Sequence, residues 1–154
     1  MNDEGTPGAR ARFDVSAGLL TGTIDPVRVV LVAEASMLHT TGVTNSVTRV
    51  RRPLDAGGHE VRVIAPRAPG EPDDSGFTLL RSFALPSYPD VRLTAARAKS
   101  LETILRDFVP DVVHLASPFV LGWQSLRAAD HLGIPTVAIY QTDIPGFAQR
   151  YGIP

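Results

Sequence analysis

Residues 27–33 read VRVVLVA, an apolar run that is interrupted only by Arg28. A continuous run of this kind is typical of a strand buried on both faces, as in a parallel sheet. Apolar residues then recur at helical spacing, and the helix they predict ends at the Gly57–Gly58 pair. These helical positions are Val43, Val47, Val50 and Leu54. The folded part of the chain therefore opens with a strand followed by a helix.

The alternation of strands and helices continues along the chain. Further strands are predicted at residues 61–66, 77–83, 111–116 and 135–143, further helices at 93–108 and 118–132, and a loop at 84–90. In the last helix Ser117 is the predicted N-cap, Pro118 the first helical residue and Gly133 the residue that ends it. This order predicts an α/β fold with a Rossmann-like parallel sheet and helices on both faces. We expect a single domain over residues 27–154, preceded by a flexible extension at residues 1–26.

The bulk composition excludes several classes of protein. With 44% apolar and 20% charged residues, the 154-residue chain is globular, and its net charge of −1 argues against a general nucleic-acid binder. Because it contains no cysteine, disulfides and thiolate metal sites are excluded. No cluster of His, Asp and Glu has metal-ligand spacing, so we expect no metal site. The N-terminus lacks the apolar stretch of a secretory signal peptide, and we expect a cytoplasmic protein.

Three segments follow the predicted strands at the edge of the sheet where ligands bind in such folds. They are EASMLHTTGVTN at residues 34–45, ASPF at 116–119 and QTDIPGF at 141–147. In the first segment Gly42 precedes a helix N-terminus, where free N–H groups and the helix dipole favour an anion. Two interpretations of Gly42 stay open: it lets a phosphate approach the backbone, or it only makes the turn.

Other polar residues near this edge have a structural interpretation beside the functional one. For Thr44 and Asn45 we favour capping of the helix over contact with a ligand. His114 lies within an apolar strand, which favours a core histidine with satisfied hydrogen bonds over a catalytic base. Trp123 is interpreted as a core residue. Asp143 is either a site residue or a solvated loop residue, and the sequence leaves both open.

Several motifs in order resemble the N-terminal domain of glycosyltransferase family 4, and among its members the actinobacterial GDP-mannose-dependent α-mannosyltransferases. The stretches that carry the resemblance are VRVVLVAEA, TGVTNSVTRV, GGHEVRVIAP, LPSYPDVRL and the long run from Arg106 to Gly152. The resemblance implies one half of a GT-B fold, in which two Rossmann-like domains face each other. It implies a retaining hexosyltransferase whose donor is a nucleotide sugar, GDP-mannose, and whose acceptor is a lipid or glycan, with no metal or other cofactor.

The resemblance also assigns roles to individual residues. It implies that Gly42 and Val43 lie against the donor diphosphate. It implies that Asn45, Ser117, Pro118, Gln141, Thr142 and Asp143 line the cleft on the acceptor side. Many members of the family carry a catalytic histidine at the position of Ala116, so no catalytic residue is assigned here.

The chain departs from the family pattern in two further places. The family continues into a second domain that carries most of the donor site, so we expect this donor-binding domain to be absent from the chain, or supplied by a separate chain as a partner. Pro53 falls inside the first predicted helix, where an interior proline removes a hydrogen bond and destabilises the helix. A non-catalytic α/β module that binds an anion or a partner is the alternative to an enzyme.

A final expectation concerns membranes. If the helix at 93–108 begins at Arg92, then Arg92, Lys99 and Arg106 are seven residues apart and form one basic stripe. This stripe lies opposite the apolar positions of the helix and could contact an anionic membrane surface, at the inner face of the plasma membrane. A solvated charged face is the simpler interpretation.

Overall fold

The strand predicted from VRVVLVA lies at the centre of the sheet as β1 (Arg28–Val32) in a computed structural model that describes residues 25–38, 41–85, 88–117 and 119–139. The other elements are α1 (Gly42–Ala56), β2 (Glu60–Pro66), β3 (Phe77–Leu80), β4 (Ser82–Leu85), β5 (Tyr88–Thr94), α2 (Ala98–Phe108), β6 (Val112–Leu115), α3 (Val120–His131) and β7 (Thr136–Ala138). Five strands pair in parallel in the order β3-β2-β1-β6-β7. The predicted Rossmann-like parallel sheet is therefore confirmed.

The two faces of β1 pack into two separate cores. Val30 and Val32 point into one core together with apolar residues of α2 and α3. Val29 and Leu31 point into the other, together with Val47 of α1. Because helices cover both faces, β1 has no solvent side that needs polar residues, which explains why residues 29–32 are all apolar.

Helix α1 ends at the glycine pair, as the sequence predicts. Gly57 is the C-cap residue, and Gly58 has a φ of 80°, a left-handed conformation that glycine adopts without a steric penalty. Pro53 lies inside the helix, as predicted, and the helix continues beyond it to Ala56. An ion pair between Arg51 and Asp55, with 3.1 Å between Nε and Oδ2, spans the proline.

The region between β2 and α2 differs from the prediction. The strand expected at 77–83 is divided at Arg81, and the expected loop at 84–90 falls within a hairpin in which β4 and β5 pair antiparallel. Arg92 lies in β5 and not on a helix, because its guanidinium binds the end of β2 and the start of β4. Its Nε donates to the carbonyl oxygen of Arg67 at 3.0 Å and to the Ser82 hydroxyl at 2.7 Å.

Since α2 begins only at Ala98, the predicted basic stripe is wrong as a feature of one helix. Lys99 and Arg106 share α2, but Arg92 does not belong to it. Arg106 also donates to the carboxylate of Glu102 at 3.0 Å, which compensates part of its charge. The surface that remains on α2 is less basic than the sequence indicated.

Replacing Pro53 with leucine should stabilise the fold. The carbonyl oxygen of Arg49 lies one turn before Pro53 and lacks an intrahelical donor, because proline has no N–H. We expect a gain of about 1–3 kcal/mol in the free energy of unfolding, seen as a rise of several degrees in Tm. The matched control is Arg52→Leu, which adds the same side chain at the neighbouring exposed position. An unchanged or lower Tm for Pro53→Leu would contradict the expectation.

Candidate functional site

The loop that follows β1 is held on both sides by carboxylates. Glu34 accepts a hydrogen bond from the backbone N–H of Gly122, with 2.7 Å between Oε1 and N. On the other side the carboxylate of Glu71 accepts from the Ser36 hydroxyl at 2.9 Å and from the Ala68 N–H at 2.7 Å. These bonds connect the ends of β1, β2 and β6, so that the loops at the carboxyl edge of the sheet are fixed relative to one another.

The N-terminus of α1 lies at this edge and is closed by a capping box. The Thr41 hydroxyl accepts from the Thr44 N–H at 3.2 Å, and the Thr44 hydroxyl accepts from the Thr41 N–H at 2.7 Å. The prediction that Thr44 takes part in capping is confirmed, with Thr41 as the N-cap residue. Asn45, the next residue of the helix, is exposed and is not part of this capping box. Contact with a ligand stays a prediction for Asn45.

Gly42 is the first residue of α1, and the structure gives no reason for a glycine there. Its φ lies outside the left-handed range, and no described atom lies within 4 Å of the position that a Cβ would occupy. Within the described residues, no backbone conformation therefore requires a glycine at position 42, and the close approach of a phosphate stays a prediction.

A shallow depression extends from Gly42 along the exposed side of α1, lined also by Asn45, Ser46, Arg49 and Val50. Arg49, about two turns into the helix, adds a positive charge to the lining of this depression. Sequence reasoning missed this residue, although its spacing of seven from Gly42 places both on one face of the helix.

The prediction that Ser117 caps α3 is wrong. The N-cap position is Phe119, which offers no side-chain hydrogen bond, and the helix begins at Val120. Ser117 is only 2% exposed, and its hydroxyl has no hydrogen-bond partner within the described ranges. Glu34 takes over the capping role, because its carboxylate accepts from the third N–H of the helix, the group that an N-cap side chain ordinarily binds.

Glu34 is a functional candidate that sequence reasoning missed. Burial raises the pKa of the Glu34 carboxyl above its usual range, and the hydrogen bond from the Gly122 N–H opposes this shift. The only sequence signal is an acidic residue directly after a buried strand. Its partner lies 88 residues further along the chain, so no local pattern could reveal the contact.

Two residues that the sequence predicts to be core residues do not have the expected environment. Trp123 is 56% exposed on α3, so the prediction that it is a core residue is wrong. His114 lies on β6 as expected, and burial lowers the pKa of its imidazole. Its Nε2 has no hydrogen-bond partner among the described residues, so it is not the satisfied core histidine that we expected.

The remaining predicted cleft residues, Pro118, Gln141, Thr142 and Asp143, lie outside the described residues. Val43 is half-buried on the first turn of α1, next to Gly42. In the ranges that the structure describes, no three His, Cys, Asp or Glu side chains come together as a metal site. None of the described helices is long and apolar enough to span a membrane.

Gly122→Ala should destabilise the fold, because a Cβ at this position would lie 2.2 Å from the backbone carbonyl oxygen of Ser117. The carbonyl cannot yield without moving the loop that Glu34 holds, so we expect a loss of about 1–3 kcal/mol in urea unfolding. The matched control is Gly42→Ala, where the space is open and the change should be neutral or stabilising by up to ~1 kcal/mol. Equal stabilities of the two variants would show that the close contact is relieved at no cost.

Comparison with known proteins identifies relatives of the chain. Residues 40–153 match the family model for Glycosyltransferase Family 4. The chain is 44% identical over 135 residues to a GDP-mannose-dependent alpha-mannosyltransferase from Corynebacterium glutamicum, an alignment that covers 83% of this chain and 32% of the relative. It is 46% identical over 134 residues to the protein of that name from Mycobacterium tuberculosis, covering 83% of this chain and 35% of the relative.

A more distant relative is the sulfoquinovosyl transferase of Arabidopsis thaliana, 32% identical over 130 residues, covering 82% of this chain and 25% of the plant protein. The chain thus spans about a third of the length of the bacterial relatives and a quarter of the plant relative. The family model covers well over half of the chain, including α1, its N-terminal glycine and the segment around Ser117. The protein therefore belongs to Glycosyltransferase Family 4.

Proposed function

We propose that this chain forms the N-terminal, acceptor-side part of a retaining mannosyltransferase, which transfers mannose from GDP-mannose to a lipid or glycan acceptor. The names of the bacterial relatives support the donor, since the alignments cover more than four fifths of this chain. The observation that carries the proposal is Gly42, a glycine at a helix N-terminus that neither the backbone conformation nor the packing of described atoms requires.

The first turn of α1 is suited to hold a diphosphate. The capping box uses the N–H of Thr44, whereas the N–H groups of Gly42 and Val43 make no hydrogen bond within the described part of the chain. The first turn contains no acidic residue, and Arg49 lies in the same depression. A diphosphate at Gly42 would therefore find N–H donors, the helix dipole and a cation together.

These groups act on the leaving group of the proposed reaction. As the bond between the sugar C1 and the diphosphate oxygen breaks, negative charge develops on the diphosphate, and the α1 N-terminus stabilises it. The acceptor hydroxyl forms the new bond to C1 and passes its proton to the departing diphosphate oxygen. We propose that this charge stabilisation by the protein takes the place of a metal ion.

The function is testable with the chain alone and with a completed protein. Residues 1–154 alone, incubated with GDP-mannose and a glycolipid acceptor, should give no product, because they correspond to only about a third of the bacterial relatives and cannot hold both substrates in reacting geometry. The chain joined to the remaining part of the Mycobacterium tuberculosis relative should transfer mannose. Transfer by the chain alone, or none by the joined protein, would contradict the proposal; the second result would favour a non-catalytic anion-binding module.

In the joined protein, Gly42→Val should lower kcat/KM for GDP-mannose by about tenfold or more, because the side chain occupies the space proposed for the diphosphate. The fold should remain intact, since no described atom lies near the new Cβ. The matched control is Thr48→Val, which places the same side chain on an exposed position of α1 outside the depression. A loss of folding without a change in donor affinity would instead mean that Gly42 is structural.

We also propose that the protein is cytoplasmic and makes peripheral contact with an anionic membrane surface. The contact surface can no longer include Arg92 through a helical stripe, because its guanidinium binds Arg67 and Ser82. Lys99 and Arg106 remain as candidates on α2, each near an anionic surface contributing ~1 kcal/mol at most.

A further inference from the structure

We propose that the N-terminal ends of α2 and α3 form a docking surface for an anionic membrane. Phe119, Val120 and Trp123 enter the lipid, and Lys99 and Arg127 contact the negative headgroups. This inference rests on the proposed function, in which the acceptor is a lipid, and it assigns membrane contact to a surface built from two helices instead of one basic stripe.

Three large apolar side chains are exposed at the start of α3. Phe119 is 37% exposed, Val120 50% and Trp123 56%. The N–H of Trp123 donates to the carbonyl oxygen of Phe119 at 2.7 Å, so these two residues lie one turn apart on the same side of the helix, and Val120 directly follows Phe119. The buried residues of α3 lie on its other side. We call these three side chains the apolar patch, and their clustering on one exposed side indicates an apolar partner.

The charged side chains next to the apolar patch are basic. Arg127 is exposed one turn after Trp123. Lys99 is exposed in the first turn of α2, next to Ala98, whose N–H donates to the side chain of Gln124 at 3.1 Å. This bond holds the start of α2 beside the residue that follows Trp123. Neither cation has a carboxylate partner among the described residues, although the net charge of the whole chain is −1.

The acidic residues of the two helices lie away from the apolar patch. Asp107 and Asp130 are in the last turns of α2 and α3. The carboxylate of Glu102 accepts from Arg106 at 3.0 Å and lies 2.9 Å from Nδ1 of His131, so its charge is already compensated. The N-terminal ends therefore combine apolar and positively charged side chains. An anionic bilayer is complementary to both, because it offers an apolar interior behind negative headgroups, and tryptophan favours that boundary.

The experiment uses Trp123, the single tryptophan of the chain, as a fluorescent probe within the patch. The 154-residue chain is mixed with vesicles of equal parts phosphatidylcholine and phosphatidylglycerol, or of phosphatidylcholine alone. We expect a blue shift of the Trp123 emission and co-sedimentation with the anionic vesicles only, both weakened by added salt. Binding to the two kinds of vesicle alike, or to neither, overturns the inference.

A charge within the apolar patch should abolish most of this binding. Val120→Glu should lower the partition coefficient onto anionic vesicles about tenfold or more, because the apolar side chain no longer enters the lipid. The matched control is Val137→Glu, since Val137 is 54% exposed on β7 and its register with His114 and Leu31 places it on the sheet face opposite α3. Equal losses in the two folded variants would contradict the assignment of the surface.

Reversal of the neighbouring charges tests the headgroup contact separately. Lys99→Glu and Arg127→Glu should each lower the partition coefficient at least about fivefold, which corresponds to the ~1 kcal/mol contributed by one basic residue. The control Arg52→Glu makes the same change at an exposed position of α1 and should bind as the wild-type chain does. A similar loss in Arg52→Glu would show that only the net charge matters, and the inference would be wrong.

The joined protein separates this inference from the proposed function. If it transfers mannose but Val120→Glu leaves its vesicle binding unchanged, the remaining part of the protein covers the patch, and the inference fails while the function stands. If the chain binds anionic vesicles through the patch but the joined protein transfers no mannose, the function fails while the docking surface stands.

Discussion

The structure depends on the burial of one strand on both faces. β1 pairs in parallel with β2 on one side and with β6 on the other, so its backbone groups find their partners within the sheet. Its side chains alternate between two cores, one against α1 and one against α2 and α3. The pairing of β1 with both neighbouring strands fixes its register, and with it the place where the chain leaves the sheet.

That fixed exit point gives the residues after β1 their importance. Glu34 follows the strand after a single residue and reaches α3, and Ser36 bonds to Glu71 after β2. Two buried or half-buried carboxylates thus hold one loop against its neighbours. Burial of the Glu34 carboxyl is unfavourable, as its raised pKa indicates, and the backbone N–H groups of α3 offset only part of this cost. The Glu34 carboxylate therefore serves to position the first turn of α3 more than to stabilise the fold.

The two helix N-termini at the sheet edge have opposite electrostatic characters. In α1 the third N–H donates to a neutral threonine hydroxyl, so no charge of the chain compensates the positive end of this helix. α3 has no cap of its own and is compensated by a charged group from a distant part of the chain.

Local patterns in the sequence were sufficient for the central strand, for α1 with its terminal glycines, and for the parallel α/β architecture, since these depend on contacts between near neighbours and on hydrophobic periodicity. The same patterns led to the interest in Gly42. They failed for Ser117, whose position before Pro118 resembles an N-cap, because the cap comes from Glu34, 88 residues before Gly122. They failed for Arg92 as well, because a hairpin held by Arg67 and Ser82 outweighs its helical spacing. Hydrogen bonds between residues this far apart in the chain produce no periodic pattern in the sequence. Only the packing of the whole chain brings these partners together.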